Sequence, residues 1–180
     1  FSACTFDPDH DHMQPDAPRI APLSRPVGIA WVLSSGGPRG FTHIGVMKAL
    51  DELGLAPDLI VGASVGAMVG VLRASGRRAQ EIEALALDLN VLSFARLAVG
   101  TAERYSGAPI AELVQVHAAE QQLERMPIAM ACVAVRRHDR GVVAFTAGRA
   151  ALAVQASSAI EGQFAHVRIR GEPYVDPDWV

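Results

Sequence analysis

Basic charge, long hydrophobic runs, cysteine and aromatic side chains are all scarce in this chain. Sixteen Lys and Arg against 19 Asp and Glu leave a formal net charge of −3. No basic stripe offsets it, which argues against a nucleic-acid partner. No apolar run approaches the roughly 18 residues that would span a bilayer as a helix. Two cysteines are too few for a disulfide scaffold. Aromatic residues make up 6% of the chain, yet hydrophobic residues as a whole make up 50%. Ala, Val and Leu dominate that half, a composition suited to helices packed on a buried sheet. At 180 residues the chain reads as one domain with room for a real core.

The start of the chain has its own character. It opens at Phe1 rather than Met and reads as cut there, by processing or by design. Ser2-Ala3-Cys4 resembles the end of a bacterial lipoprotein signal, in which the cysteine is lipidated. That reading expects a protein held at the cell envelope through Cys4 and facing the periplasm; without it, the expectation is a cytoplasmic protein. Residues 5–26 are rich in proline and aspartate and show no hydrophobic period, so residues 1–26 read as a flexible tether. Asp7, Asp9, His10, Asp11 and His12 could bind a metal loosely, but a solvated acidic linker is the simpler reading. No metal and no cofactor is expected. Cys132, inside the apolar run Ile128 to Val135, reads as a buried strand thiol, and a disulfide with Cys4 is not expected.

The folded part is expected to begin at Val27. Val27 to Leu33 is a continuous apolar run, as in a strand covered on both faces. Phe41 to Leu53 has apolar residues at helical spacing and ends at Gly54. Leu59 to Val61 reads as a strand, Val65 to Ala74 and Gln80 to Leu89 as helices, and Asn90 to Thr101 as ambiguous. A helix at Ile110 to Ala119 comes next, then strands at Ile128 to Arg136 and Val142 to Thr146 around His138-Asp139-Arg140-Gly141. An Ala-rich helix at Ala147 to Ala159 and a small hairpin, Val167 to Ile169 with Pro173 to Val175, complete the pattern. Alternating strands and helices predict an α/β sandwich of three layers around a mostly parallel sheet, with chemistry at the carboxyl ends of the strands.

Two glycine-rich turns lie at such ends. Gly62-Ala63-Ser64-Val65-Gly66 is a G-x-S-x-G elbow between a strand and a helix, which makes Ser64 the candidate nucleophile. Gly62 and Gly66 flank it because a tight elbow leaves no room for side chains. The earlier turn, Ser35-Gly36-Gly37-Pro38-Arg39-Gly40, offers N–H groups at Gly36 and Gly37 that can hold an oxyanion; the N–H of Val65, opening the next helix, is a third candidate. Pro38 has no N–H to give. A phosphate-binding turn of Rossmann type is the competing reading, but the spacing departs from G-x-G-x-x-G. For a base, one arrangement takes Asp139 and His166 in the order Ser, Asp, His. The other takes Asp176, which closes the strand-like Tyr174-Val175-Asp176. His43 reads as structural.

Taken together, these segments resemble the patatin-like phospholipases. Leu33-Ser34-Ser35-Gly36-Gly37-Pro38-Arg39-Gly40 resembles that family's G-G-G-x-[R/K]-G loop, with Ser35 in place of the first glycine, and Phe41-Thr42-His43-Ile44-Gly45-Val46 continues the likeness. Gly62 to Gly66 is similar to the family's elbow. Ala156-Ser157-Ser158-Ala159-Ile160 is similar to the segment before its last motif, and Tyr174-Val175-Asp176 to the approach to D-G-[G/A]. Pro177 stands where the family has that motif's first glycine, and Glu161 where it usually has proline. The resemblance implies a Ser64–Asp176 dyad without histidine, an oxyanion site at Gly36, Gly37 and Val65, and support from Arg39, Gly40, Gly62 and Gly66. It further implies hydrolysis of phospholipid, lysophospholipid or related lipid esters at a membrane surface, with Arg39 steadying the loop or meeting the lipid phosphate, and further strands and helices beyond Val180. Two alternatives stay open: a lipid- or partner-binding member without catalysis, and a Ser-His-Asp hydrolase.

Overall fold

A computed structural model describes residues 10–89 and 103–179 of the chain. Cys4 and the whole stretch Asn90 to Thr101 lie outside the described residues. Among those described, seven strands form one mixed sheet: β1 (Asp11–His12), β2 (Ala30–Leu33), β3 (Leu59–Ala63), β4 (Ala129–Arg136), β5 (Val142–Phe145), β6 (Val167–Ile169) and β7 (Glu172–Val175). The order is β1-β6-β7-β4-β3-β2, with β5 also paired to β4. Pairing is parallel through β2, β3 and β4 and again at β1 with β6. It is antiparallel where β4 meets β5 and β7 and where β6 meets β7. The α/β expectation holds, with the parallel order concentrated in the half of the sheet that carries both glycine-rich turns.

The helices are α1 (Thr42–Glu52), α2 (Val65–Ala74), α3 (Ala79–Asp88), α4 (Ala108–His117) and α5 (Ala150–Ser157). Every residue of α5 is buried, as are nine of the ten in α2. Such helices, apolar on nearly all sides, belong in the middle of a packed layer. Both lie on β4 and touch one another, so they share a face of the sheet. A Cβ on Gly70 would sit 3.0 Å from Ile60 Cγ2 and Met130 Cε, which shows how closely α2 approaches β3 and β4. Cys132 is fully buried, as expected of a strand thiol, and burial pushes its pKa up.

Two expectations change. The run from Val27 to Leu33 is not covered on both faces. Only Ala30–Leu33 is strand, at the edge of the sheet, where Trp31 and Leu33 are buried and Val32 is 75% exposed. Successive side chains of a strand point to opposite faces, and at this edge only one face is covered.

The second change concerns residues 10–26, which are not a free tether. Asp11 and His12 pair with Arg168 and Ile169. Ala17 is fully buried, and Arg19 bridges to Ala147. Arg149 pairs with Asp16 at 3.0 Å, and Arg25 donates to the carbonyls of Met126 and Pro127 at 2.7 and 2.6 Å. A segment held by main-chain bonds and ion pairs has no hydrophobic period, so periodicity cannot reveal it. Of the loose metal set, Asp7 and Asp9 lie outside the described residues, and the His10 and His12 rings stack edge to face at 4.7 Å.

Candidate active site

The site is built where β2 and β3 end and α2 begins. Ser64 caps α2 with φ 54° and ψ −123°, a backbone conformation that L-residues rarely occupy and that turns the chain sharply from strand into helix. The flanking glycines allow it. A Cβ on Gly62 would meet Gly66 O and Ala67 Cα, and one on Gly66 would strike the carbonyls of Leu33 and Ser34. Gly66 therefore lets the end of β2 press against the first turn of α2. Gly40 does the same from the other loop, since a Cβ there would collide with the side chain of Val65. Three missing side chains thus make the two glycine-rich turns neighbours.

The first turn continues as a 3-10 segment, Gly37–Phe41, with Gly36 at φ 149° and Gly37 at φ 54°. The Arg39 N–H donates back to Gly36 O, and Arg39 itself is exposed. Val65 is the first residue of α2 and Gly37 the first of the 3-10 segment. N–H groups at such positions have no acceptor within their own helix. His43 Nε2 donates to the Ser34 carbonyl at 2.9 Å, tying α1 to the loop in a structural role.

One positioning residue escaped sequence reasoning. The Ser64 N–H donates to Ser157 Oγ at 2.8 Å, and Ser157 Oγ donates to Val133 O at 2.6 Å. The fully buried Ser157, at the end of α5, thereby clamps the elbow to β4. A hydroxyl at the end of an otherwise apolar, alanine-rich helix was the available signal.

Asp176 arrives from the antiparallel half, at the end of β7. Its N–H donates to Ala159 O at 3.0 Å, and its Oδ1 accepts the Asp178 N–H at 2.9 Å. That second bond caps a short 3-10 segment, Pro177–Trp179. Proline fits its first position, where no N–H is needed. The carboxyl group is fully buried, and its Oδ2 has no hydrogen-bond partner among the described residues. Burial raises its pKa above the usual carboxylate value and the neighbouring Asp178 charge adds to this; the Ser64 hydroxyl and the Asp178 N–H beside it act in the opposite direction. Ser35 Oγ donates to Asp178 Oδ1, so the glycine loop is joined to the turn that holds Asp176.

The alternative triad loses its acid. Asp139 is exposed at the β4–β5 turn and is engaged by the Arg136 guanidinium at 3.1 and 2.9 Å, which holds its pKa low. Glu161, in the position of the family's proline, bridges Arg137 and Arg140 at 3.2 and 2.6 Å.

A serine held at positive φ between a strand and a helix, beside a buried aspartate, defines an α/β domain of the serine-elbow type. The sequence profile described as "Patatin-like phospholipase" matches residues 31–176, and the chain belongs to that family. An uncharacterized NTE family protein of Mycobacterium tuberculosis is 33% identical over 165 residues, covering 90% of this chain and 45% of the relative. Patatin-like phospholipase domain-containing protein 6 of Homo sapiens is 47% identical over 64 residues, 36% of this chain and 5% of that protein. Among solved structures, VipD from Legionella pneumophila superposes with a TM-score of 0.68 at 18% identity, over 86% of this chain and 46% of its own. That likeness is one of fold. The chain spans less than half the length of each of these three proteins.

Proposed function

We propose that this chain is a serine acyl hydrolase acting on phospholipid, lysophospholipid or related lipid esters through a Ser64–Asp176 dyad. The observation that carries the reading is the Asp176 carboxyl: buried, raised in pKa, with Oδ2 unengaged and the Ser64 hydroxyl beside it. A carboxylate of ordinary pKa is a poor base toward a hydroxyl, and burial brings its proton affinity closer to the task. Ser64 Oγ attacks the acyl carbonyl while Asp176 takes its proton. The N–H groups of Gly36, Gly37 and Val65 receive the charge on the carbonyl oxygen. Collapse expels the alcohol, which takes the proton from Asp176, and water then releases the acyl group by the same route.

Membership in the patatin-like phospholipase family supports a lipid ester as substrate, and a similar protein of Candida glabrata, 41% identical over 69 residues, bears the name Lysophospholipase NTE1. Arg39, exposed on the glycine loop, suits the phosphate of a headgroup at a membrane surface. A lipidated Cys4 would hold this chemistry at a bacterial envelope on the periplasmic side, and the intact mass of the mature protein tests for it.

Labelling with a fluorophosphonate probe, read by peptide mapping, tests the dyad. Modification at Ser64, lost in Ser64→Ala, is expected. A folded protein that takes no label overturns the reading.

A further inference from the structure

The glycine loop and the turn that carries Asp176 come from the parallel and antiparallel halves of the sheet, and Asp178 touches both. Its N–H donates to Asp176 Oδ1 at 2.9 Å, and its own Oδ1 accepts the hydroxyl of Ser35. The first bond occupies one oxygen of the carboxyl and leaves Oδ2, on a group that has the Ser64 hydroxyl beside it, without a partner among the described residues. The second bond reaches the residue just before Gly36 and Gly37. Those two glycines stand at φ 149° and 54°, where a backbone without Cβ turns freely, so the aim of their N–H groups depends on what holds the loop. His43 Nε2 holds the Ser34 carbonyl at 2.9 Å on one side, and the Arg39 N–H returns to Gly36 O at 3.2 Å on the other. Between them, the Ser35 hydroxyl ties the loop to the turn of the base. A bond from hydroxyl to carboxylate is charge-assisted and about twice as strong as a neutral one. Pro177 fixes φ at the start of the 3-10 segment and so limits where Asp178 can stand. Both ends of the tie are departures from the family pattern: Ser35 replaces the first glycine of the loop, and Asp178 takes the last place of D-G-[G/A]. Glycine and alanine carry no side-chain donor or acceptor, so a chain with that pattern cannot make this bond.

We propose that Ser35 and Asp178 form a positioning latch, in which Asp178 orients the Asp176 carboxyl through its N–H and fixes the Gly36–Gly37 loop through its carboxylate. The proposal rests on the esterase reading for the reaction that the latch serves. Neither residue reacts. The latch sets where the base and the loop N–H groups stand relative to Ser64, and a misplacement of about 1 Å costs about a hundredfold in rate. It acts on groups engaged in the transition state, so its loss lowers kcat and leaves the binding of a small ester nearly unchanged. Ser35 is half-buried and Asp178 exposed, so either can be replaced without opening the core.

Two double-mutant cycles separate this proposal from the one it rests on. With p-nitrophenyl butyrate, Ser35→Ala and Asp178→Ala are each expected to lower kcat by about tenfold or more, with KM within about twofold of the wild type. Ser35→Thr, which keeps the hydroxyl, is expected to restore most of kcat. The double variant Ser35→Ala with Asp178→Ala is expected to be no slower than the slower single one, because either change alone already breaks the tie. Unchanged kcat in the folded single variants, or losses that multiply in the double variant, overturn the latch. The second cycle is run in Ser64→Ala protein, which cannot turn over, and is read as midpoints of chemical denaturation. There too the double variant is expected to fall no further than the lower single one, and additive shifts overturn the latch whatever the wild type hydrolyses. Coupled midpoints in a wild type that takes no fluorophosphonate label keep the tie between the two segments and sink the hydrolase reading. A labelled, active wild type whose variants keep kcat and shift additively does the reverse.

Discussion

Around Ser64 the chain fits so closely that three glycines have no room for a Cβ, whereas residues 11–25, which begin at the opposite edge of the sheet, are held by hydrogen bonds and by ion pairs with half-exposed partners. In the first region shape does the holding. The end of β2, the 3-10 segment and the first turn of α2 touch backbone to backbone, and any added atom must push something aside. In the second region, alternative partners and water are always available, so each tie contributes little alone. The difference teaches where the molecule can change. Gly62 and Gly66 tolerate no side chain, because the strain at Ser64 must be over-determined by its surroundings. The N-terminal segment can drift in sequence as long as its main-chain pairing survives.

The largest effect tests what the close fit is for. Asp176→Asn is expected to lower kcat by about a thousandfold or more, since the carboxyl is the proposed base. The same substitution is expected to leave stability at pH 7 unchanged or higher. The folded pKa is raised, so ionisation of Asp176 opposes folding as pH climbs from the unfolded toward the folded value. The stability gain in Asn should therefore vanish below the ordinary carboxyl pKa, which thermal melts across pH would show. In the wild type, the acid limb of kcat/KM should lie above that ordinary value.

Next come the glycines. Gly66→Ala is expected to destabilise by more than about 4 kcal/mol, or to prevent folding, because its Cβ meets two carbonyls. Gly162→Ala, at φ 78° but in open space, should cost only about 1–2 kcal/mol. Comparable denaturation midpoints for the two would break the contrast between shape and ties. Ser157→Ala sharpens it further. Loss of the clamp leaves the buried Ser64 N–H without an acceptor, for about 1–3 kcal/mol in chemical denaturation, and kcat should fall with it. The smallest change belongs to the other region: Asp16→Ala removes the pair with Arg149, whose side chains are 44% and 39% exposed, and should shift stability by less than about 1 kcal/mol.

Most elements were legible because their apolar residues repeat at 3.6 or 2. The helix at Val65 to Ala74 stands as read, and the others moved by a few residues at their ends. Ser64, Gly62 and Gly66 were legible because a tight elbow allows few residue types. Asp176 was legible as one of two candidate acids because it closes a strand-like segment, and only the resemblance set it ahead of Asp139 with His166. The hydroxyl of Ser157 stood out at the end of an alanine-rich helix, but its partner and that of Ser35 were not legible, because they lie 93 and 143 residues away in the chain.

The amino-acid order by itself determined the helices, the parallel strands and the elbow, all consequences of local backbone preference and hydrophobic spacing. Tertiary structure alone decided the rest. It brought the Asp176 carboxylate, just past β7, beside a serine 112 positions earlier in the chain and buried it, which raises its proton affinity. It left β2 at an edge with Val32 in solvent, and it drew the proline-rich start of the chain onto the sheet. Burial and long-range pairing depend on what packs against a segment, and a segment's own composition does not contain that information.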